Sequence, residues 1–266
     1  MHRTLRSDSR PILVALVFLA GQGCMPPSPE ANSGPGHRRQ ILGLTPKQEY
    51  ELGQKAYRQI LDEAQQKDVL LPPNSQPVQH VRHVGERIVQ AVEIEPLQRE
   101  INLHLRGYRF DWQFHVIRSR QINAFCLPGG RVAVFTALLR IVDNDDQLAT
   151  VLAHEIAHAL AHHANERITI EESGQVNWLY RQAYDRQQES EADHIGLFLM
   201  TFAGYDPDEA LVFWQQMERL SRGGELPEIL SNHPSDRRRI EQLRRWLPQA
   251  KAAKLAYDQH RIAPAR

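Results

Sequence analysis

Cysteine is scarce in this chain. Only Cys24 and Cys126 occur among 266 residues, which excludes a disulfide framework and any zinc-ribbon spacing. Net charge is absent too: 32 lysines and arginines balance 32 aspartates and glutamates. Nothing electrostatic therefore favours nucleic acid or an anionic membrane as the main partner. Long apolar runs are also missing, since Ile12 to Ala20 is too short to span a bilayer. No internal repeat is present, and no helical-repeat domain follows the core. What the chain does have is histidine, 13 in all and clustered, on an otherwise ordinary background of 41% hydrophobic and 24% charged residues. That composition and length suit one substantial globular domain or two small ones.

The N-terminus reads as a targeting segment. Arg3, Arg6 and Arg10 precede the apolar run, and Gly21-Gln22-Gly23 lead into Cys24. A positive start followed by a short apolar stretch has the layout of a signal peptide. Cysteine at the end of such a run resembles a bacterial lipoprotein processing site, with Cys24 lipidated as the mature N-terminus. The alternative is ordinary signal-peptidase cleavage. Either way the expectation is an exported protein of the bacterial periplasm, attached to a membrane only through a lipid anchor. Cys126 would then be a lone thiol, buried and inert.

Residues 25–44, rich in Pro, Gly, Ser and Asn over most of their length, read as a flexible tether. Thr45, Pro46 and Gln48 form a capping-box signature that opens a helix. Val78, Val81, Val84, Ile88 and Val92 mark the apolar stripe of a second helix. Trp112 to Ile117, Ile122 to Leu127 and Arg131 to Phe135 read as three short strands, the last two joined by Pro128-Gly129-Gly130. Asn144 and Gln147 cap a helix predicted to run to about Ala164. Further helices are predicted from near Arg186 to Gly204, after Asp206-Pro207 and after Pro234. The fold class is α+β: mainly helical, around one small antiparallel sheet.

His154 and His158 stand four apart within His154-Glu155-Ile156-Ala157-His158. On a helix, both side chains leave one face a turn apart, as two imidazole ligands of one Zn2+ ion require. Glu155 lies beside them, placed to polarise a metal-bound water. The bare pattern arises by chance in chains this rich in histidine and glutamate. Three features strengthen it. The helix is otherwise apolar, so polar residues within it need a reason. Glu189 and Asp193, again four apart, offer a third ligand and an acceptor for the outer N–H of a ligand histidine. Positions 161 and 164 are both alanine, so the glycine and histidine of a metzincin are missing.

Leu44-Thr45-Pro46, Asn123-Ala124-Phe125 with Pro128-Gly129-Gly130, the helix Leu148 to His163 and the run Glu189 to Gly196 occur in that order. Ala203-Gly204-Tyr205-Asp206-Pro207 and His233-Pro234 with Arg239-Ile240 complete the series. Together these pieces resemble the metallopeptidase family that includes the CaaX prenyl protease, HtpX and the periplasmic protease BepA. The resemblance implies a gluzincin-type zincin domain over residues 45–250, a tail over 251–266, and one Zn2+ per chain. It also implies that Glu189, not Glu191, is the third ligand. The stretch Ala159 to Gln188 is shorter than in many relatives, and Cys126 stands where a small residue is expected.

The reaction expected is hydrolysis of peptide bonds, with Glu155 as general base. His233 is a candidate for oxyanion support, for a fourth ligand that shuts the site, or for a helix-capping loop residue. Asn123, Ala124 and Phe125 are candidates for aligning substrate along an edge strand; Asn123 and Phe125 otherwise shape the turn and core. Arg239 pairs with a carboxylate near the site or lies on the surface. His162 falls a full turn too far along the helix to share the ion, and it and His163 read as structural or solvated. The Arg237–Arg239 and Arg244–Arg245 clusters read as a solvated helix face, or as contacts to lipid headgroups. Substrates by family resemblance are unfolded or misfolded envelope proteins. A zinc-stabilised chaperone or assembly factor with latent proteolysis would use the same ligands without needing Glu155, whereas a metal-storage or sensing protein would depend less on Glu189 geometry and hold several metal ions.

Overall fold

The computed structural model describes residues 40–259, except for 95–96, 98–100, 102, 104, 174–177, 223–226 and 234–236. Cys24 and the rest of the N-terminal leader lie outside the described residues. Helix α1, Pro46–Gln66, opens on a complete capping box. The Thr45 hydroxyl accepts from the Gln48 amide, and the Gln48 side chain takes the Thr45 N–H at 2.9 Å. Two of the helix's orphan donors are thus satisfied. Helix α2, Gln76–Val92, buries the expected stripe of Val78, Val81, Val84, Ile88 and Val92. Gly85 interrupts that stripe because a Cβ there would sit 2.2 Å from the Phe114 ring.

The sheet consists of β1 (Gln113–Ile117), β2 (Ala124–Leu127) and β3 (Arg131–Phe135), in the order β1-β3-β2. The antiparallel sheet expected from the sequence is in fact mixed. β2 and β3 form an antiparallel hairpin, while β1 lies parallel to β3, pairing Gln113 with Arg131 and Ile117 with Phe135. The cause is burial. Every residue of β3 is buried, with Val132 and Val134 in the main core and Ala133 and Phe135 in a second cluster with Tyr57 of α1. A strand covered on both faces belongs in the centre, so β3 inserts between its two predecessors. The turn into it uses Gly129 and Gly130 at φ +79° and +84°, a region open to glycine at little steric cost.

Helix α3, Asp145–Leu160, carries the histidine motif. Asn144 caps it by accepting from the Gln147 amide at 2.8 Å. Every residue from Gln147 to Leu160 is buried, the signature of a helix wrapped on all sides. It ends at Leu160, not near Ala164 as predicted, because His162 takes a left-handed conformation at φ 55°. That conformation costs a non-glycine residue about 1–2 kcal/mol. It is offset by a 2.9 Å contact from His162 Nδ1 to Glu49 Oε1 and by stacking of the ring on Tyr108. Helix α4, His163–Glu172, then leaves in a new direction.

Helix α5, Trp178–Phe202, starts earlier than predicted. It packs closely along α3: a Cβ on Gly196 would lie 3.0 Å from the His154 amide nitrogen. Helices α6 (Asp208–Arg222), α7 (Glu228–Asn232) and α8 (Arg237–Asp258) close the far side. Arg238, Arg244 and Arg245 of α8 are exposed, whereas Arg239 is buried. None of the described helices is long and apolar enough to cross a membrane.

Candidate metal centre and active site

The two motif histidines face α5. His154 and His158 bring their Nε2 atoms to 3.1 Å, and Glu189 meets them with Oε2 at 3.3 Å and Oε1 at 3.4 Å respectively. Donors around a tetrahedral ion with bonds of about 2.0–2.1 Å stand roughly 3.3–3.4 Å apart. The two separations to Glu189 match that spacing through different oxygens of its carboxylate, and the two imidazole nitrogens stand slightly closer. His233 completes the set, its Nδ1 lying 3.3 Å from His154 Nε2 and 2.9 Å from Glu189 Oε1. His154, His158, Glu189 and His233 form a group able to hold a metal ion, with their donor atoms all within 4.8 Å.

Glu155 sits beside this group and is 3% exposed. Its Oε1 has no hydrogen-bond partner among the described residues, although His233 Nε2 stands 3.3 Å away. Burial pushes the Glu155 carboxyl above the usual carboxylate range, against the opposing pull of His233 and His154. A buried polar atom without a hydrogen bond is costly unless it has a task. Proton transfer is such a task, and a raised pKa suits a general base.

For Glu189 burial alone would also raise the carboxyl. His233, His158 and His154 outweigh it and hold Glu189 well below the ordinary range, as a carboxylate. His158 is held well below the usual imidazole value, first by burial and then by the imidazoles of His154, His163 and His233 around it. It therefore stays neutral, the form that binds a metal. Burial and Arg239 oppose a proton on His154, yet its bonds to Asp193 and Glu189 raise it to about 9.

Asp193 accepts from His154 Nδ1 at 3.0 Å, which leaves Nε2 turned to the donor set. Arg239 clamps the same carboxylate, with Nε 2.6 Å from Oδ2 and Nη2 2.7 Å from Oδ1. Its guanidinium lies 3.3 Å over the Trp214 ring. Of the two sequence readings of Arg239, the structure takes the carboxylate pair. The spacing on α8 carried no sign of this, because the partner lies on another helix.

The structure draws Asn123, Ala124 and Phe125 into the fold. The Asn123 side chain turns back to accept from the Ala124 amide at 3.0 Å, and Phe125 packs edge-on against Phe135. β2 is an edge strand packed against α3. The bond from Phe135 N–H to Asn123 O sets the alternation, so Ala124 and Cys126 direct their backbone groups to the outer edge. Ile122, in the same phase, gives its carbonyl to the Ile229 amide at 3.0 Å.

His162 and His163 are buried rather than solvated. His163 stands 2.8 Å from the His158 ring through Nδ1 and 3.2 Å from Glu191 Oε2 through Nε2. Sequence reasoning missed this pair. The available signal was a second histidine immediately after a helix end, where a bend would swing it back.

A mainly helical α+β domain with two helical histidines, an adjacent glutamate and a carboxylate from a second helix defines a zincin-like metallopeptidase. A family model described as Peptidase family M48 matches residues 86–181 and 173–247. The mitochondrial metalloendopeptidase OMA1 of Saccharomyces cerevisiae is 34% identical over 239 residues, covering 80% of this chain and 68% of that protein. Its counterpart in Schizosaccharomyces pombe is 32% identical over 243 residues, covering 84% and 68%. The beta-barrel assembly-enhancing protease of Escherichia coli is 27% identical over 230 residues, covering 74% of this chain but 43% of its own length. The chain belongs to peptidase family M48 and is a metalloendopeptidase.

The expected location in the bacterial periplasm is corrected by these relatives. The two yeast proteins, each aligned over at least 80% of the chain, are mitochondrial. A positively charged N-terminus does not distinguish the two compartments, because it occurs in organelle-targeting segments as well as in export leaders.

Proposed function

We propose that the chain is a zinc-dependent endopeptidase in which His154, His158 and Glu189 hold one Zn2+ and Glu155 moves the proton. The observation that carries this is the donor set at tetrahedral separations beside the unbonded Glu155 oxygen. When bound, zinc would supply Lewis-acid polarisation of a carbonyl and a lowered pKa for water. Glu155 Oε1 takes the proton of the attacking water and returns it to the leaving nitrogen. Asp193 fixes His154 in the tautomer that ligates through Nε2.

His233 takes the fourth donor position in this reading, with Nδ1 toward Glu189 and Nε2 toward Glu155. Its withdrawal opens that position to water and substrate. The outer edge of β2 aligns an extended polypeptide through the Ala124 carbonyl and the backbone groups of Cys126, while Asn123 holds the Ala124 N–H. Main-chain recognition is indifferent to most side chains. Substrates are therefore unfolded or misassembled polypeptides, cut in protein quality control, and the metallopeptidase domain spans residues 45–250.

Glu155→Gln tests the reading. It retains the shape of the side chain and should retain zinc while slowing cleavage of unfolded casein by about 100-fold or more. Full cleavage by this variant would remove Glu155 from the chemistry and leave the mechanism without a base.

A further inference from the structure

His154 and His158 differ in how their outer nitrogens are held. His154 Nδ1 meets a carboxylate directly, Asp193 at 3.0 Å. His158 Nδ1 meets another imidazole, His163 Nδ1 at 2.8 Å, whose far nitrogen lies 3.2 Å from Glu191 Oε2. All three residues are buried. We infer that His163 and Glu191 are positioning residues that select the metal-binding tautomer of His158 through a relay of two hydrogen bonds.

The argument is one of proton counting. Two Nδ1 atoms 2.8 Å apart share one proton, so one ring donates and the other accepts. If His158 Nδ1 accepted, its own proton would sit on Nε2, the atom facing Glu189 and His154, and the ring could not ligate. If His158 Nδ1 donates, Nε2 is left with its lone pair toward the donor set. His163 Nδ1 is then the acceptor, and the His163 proton lies on Nε2, where the Glu191 carboxylate takes the bond. A carboxylate accepts only, so Glu191 fixes the direction of the whole chain.

Helical geometry explains why an intermediary is needed. Glu189 and Asp193 are four apart on α5 and share the face toward α3. Glu191, two residues from each, leaves α5 about 200° around the axis and points away from the site. The left-handed turn at His162 brings the start of α4 back beside α3, and His163 spans the gap. Three carboxylates of one helix thus serve two histidines of another: one by ligation, one directly and one through a relay.

The relay rests on the proposed zinc centre, and its test separates the two. The zinc dissociation constant is measured by chelator competition on the parent, Glu191→Gln and His163→Phe, with circular dichroism melts of each metal-free protein. Histidine 15N resonances of the zinc-loaded parent are recorded alongside. The inference expects zinc binding weakened by about 10–100-fold in His163→Phe and less in Glu191→Gln, with no further loss when both changes are combined. It also expects a neutral His163 protonated at Nε2. Zinc affinity in Glu191→Gln and in the double variant within twofold of the parent would overturn the relay, as would a His163 proton on Nδ1. The NMR result stands on the parent, so it decides the matter even where His163→Phe does not fold. A parent that binds no zinc would overturn the metal centre itself.

Discussion

Gly196→Ala is the substitution whose effect follows most directly from the packing of α5 on α3. The new Cβ would lie 3.0 Å from the His154 nitrogen and 3.1 Å from the Ala153 carbonyl carbon and the His154 Cα. Ordinary van der Waals contact begins near 3.4 Å, so the helices must separate by about 0.4 Å, and the contacts are backbone atoms that cannot rotate away. Overpacking costs about 1–3 kcal/mol. Alanine returns about 1 kcal/mol through helix propensity. The net loss is about 0–2 kcal/mol, which for a chain of this size lowers Tm by roughly 0–8 °C. The site should suffer more than the fold. Glu189 and Asp193 ride on α5, and a shift approaching 0.5 Å is enough to spoil a preorganised donor set. Zinc binding should weaken by about tenfold, read by chelator competition beside a thermal melt of the metal-free protein. Affinity and cleavage rate both within twofold of the parent would refute the claim that this approach positions the carboxylates.

Asp193→Asn keeps the shape but removes the charge that orients His154 and anchors Arg239, so zinc affinity should fall by about 10–100-fold in the same competition assay. In the metal-free protein the Glu155 carboxyl should lose its proton above the ordinary carboxylate range, because burial raises it; side-chain carboxyl NMR against pH reads this, and a transition near pH 4 would argue against it. Glu189 gives the opposite linkage in the metal-free protein. Its depressed pKa contributes stability that is present above the unfolded carboxylate pKa and lost as pH falls through the folded one, so Glu189→Gln should flatten the acid side of a urea-denaturation profile against pH. Glu49→Ala removes the acceptor that His162 and Asn165 share. It should destabilise the chain by about 1–3 kcal/mol, seen as a lower urea midpoint.

Features set by near neighbours in the chain were legible in the sequence. The Thr45 box, the valine stripe of α2 and the four-residue spacings of His154 with His158 and Glu189 with Asp193 depend only on helix geometry. Strand order did not follow from alternation, because the pattern in β3 says that it is buried but not what flanks it. The relay was hidden for two reasons. Glu191 is out of phase with its neighbours on α5, and the bend that returns His163 to the site is made by a left-handed histidine, where propensity would ask for glycine. Arg239 reached the site through tertiary packing on Trp214. The compartment was not legible because a positively charged N-terminus is shared by more than one class of targeting segment.

The central claim separates residues that hold the metal from the residue that moves the proton. Metal analysis of three purified proteins tests that separation directly. The parent and Glu155→Gln should each carry one zinc per chain, and Glu189→Ala should carry almost none. A full zinc equivalent retained by Glu189→Ala, or lost from Glu155→Gln, would contradict it.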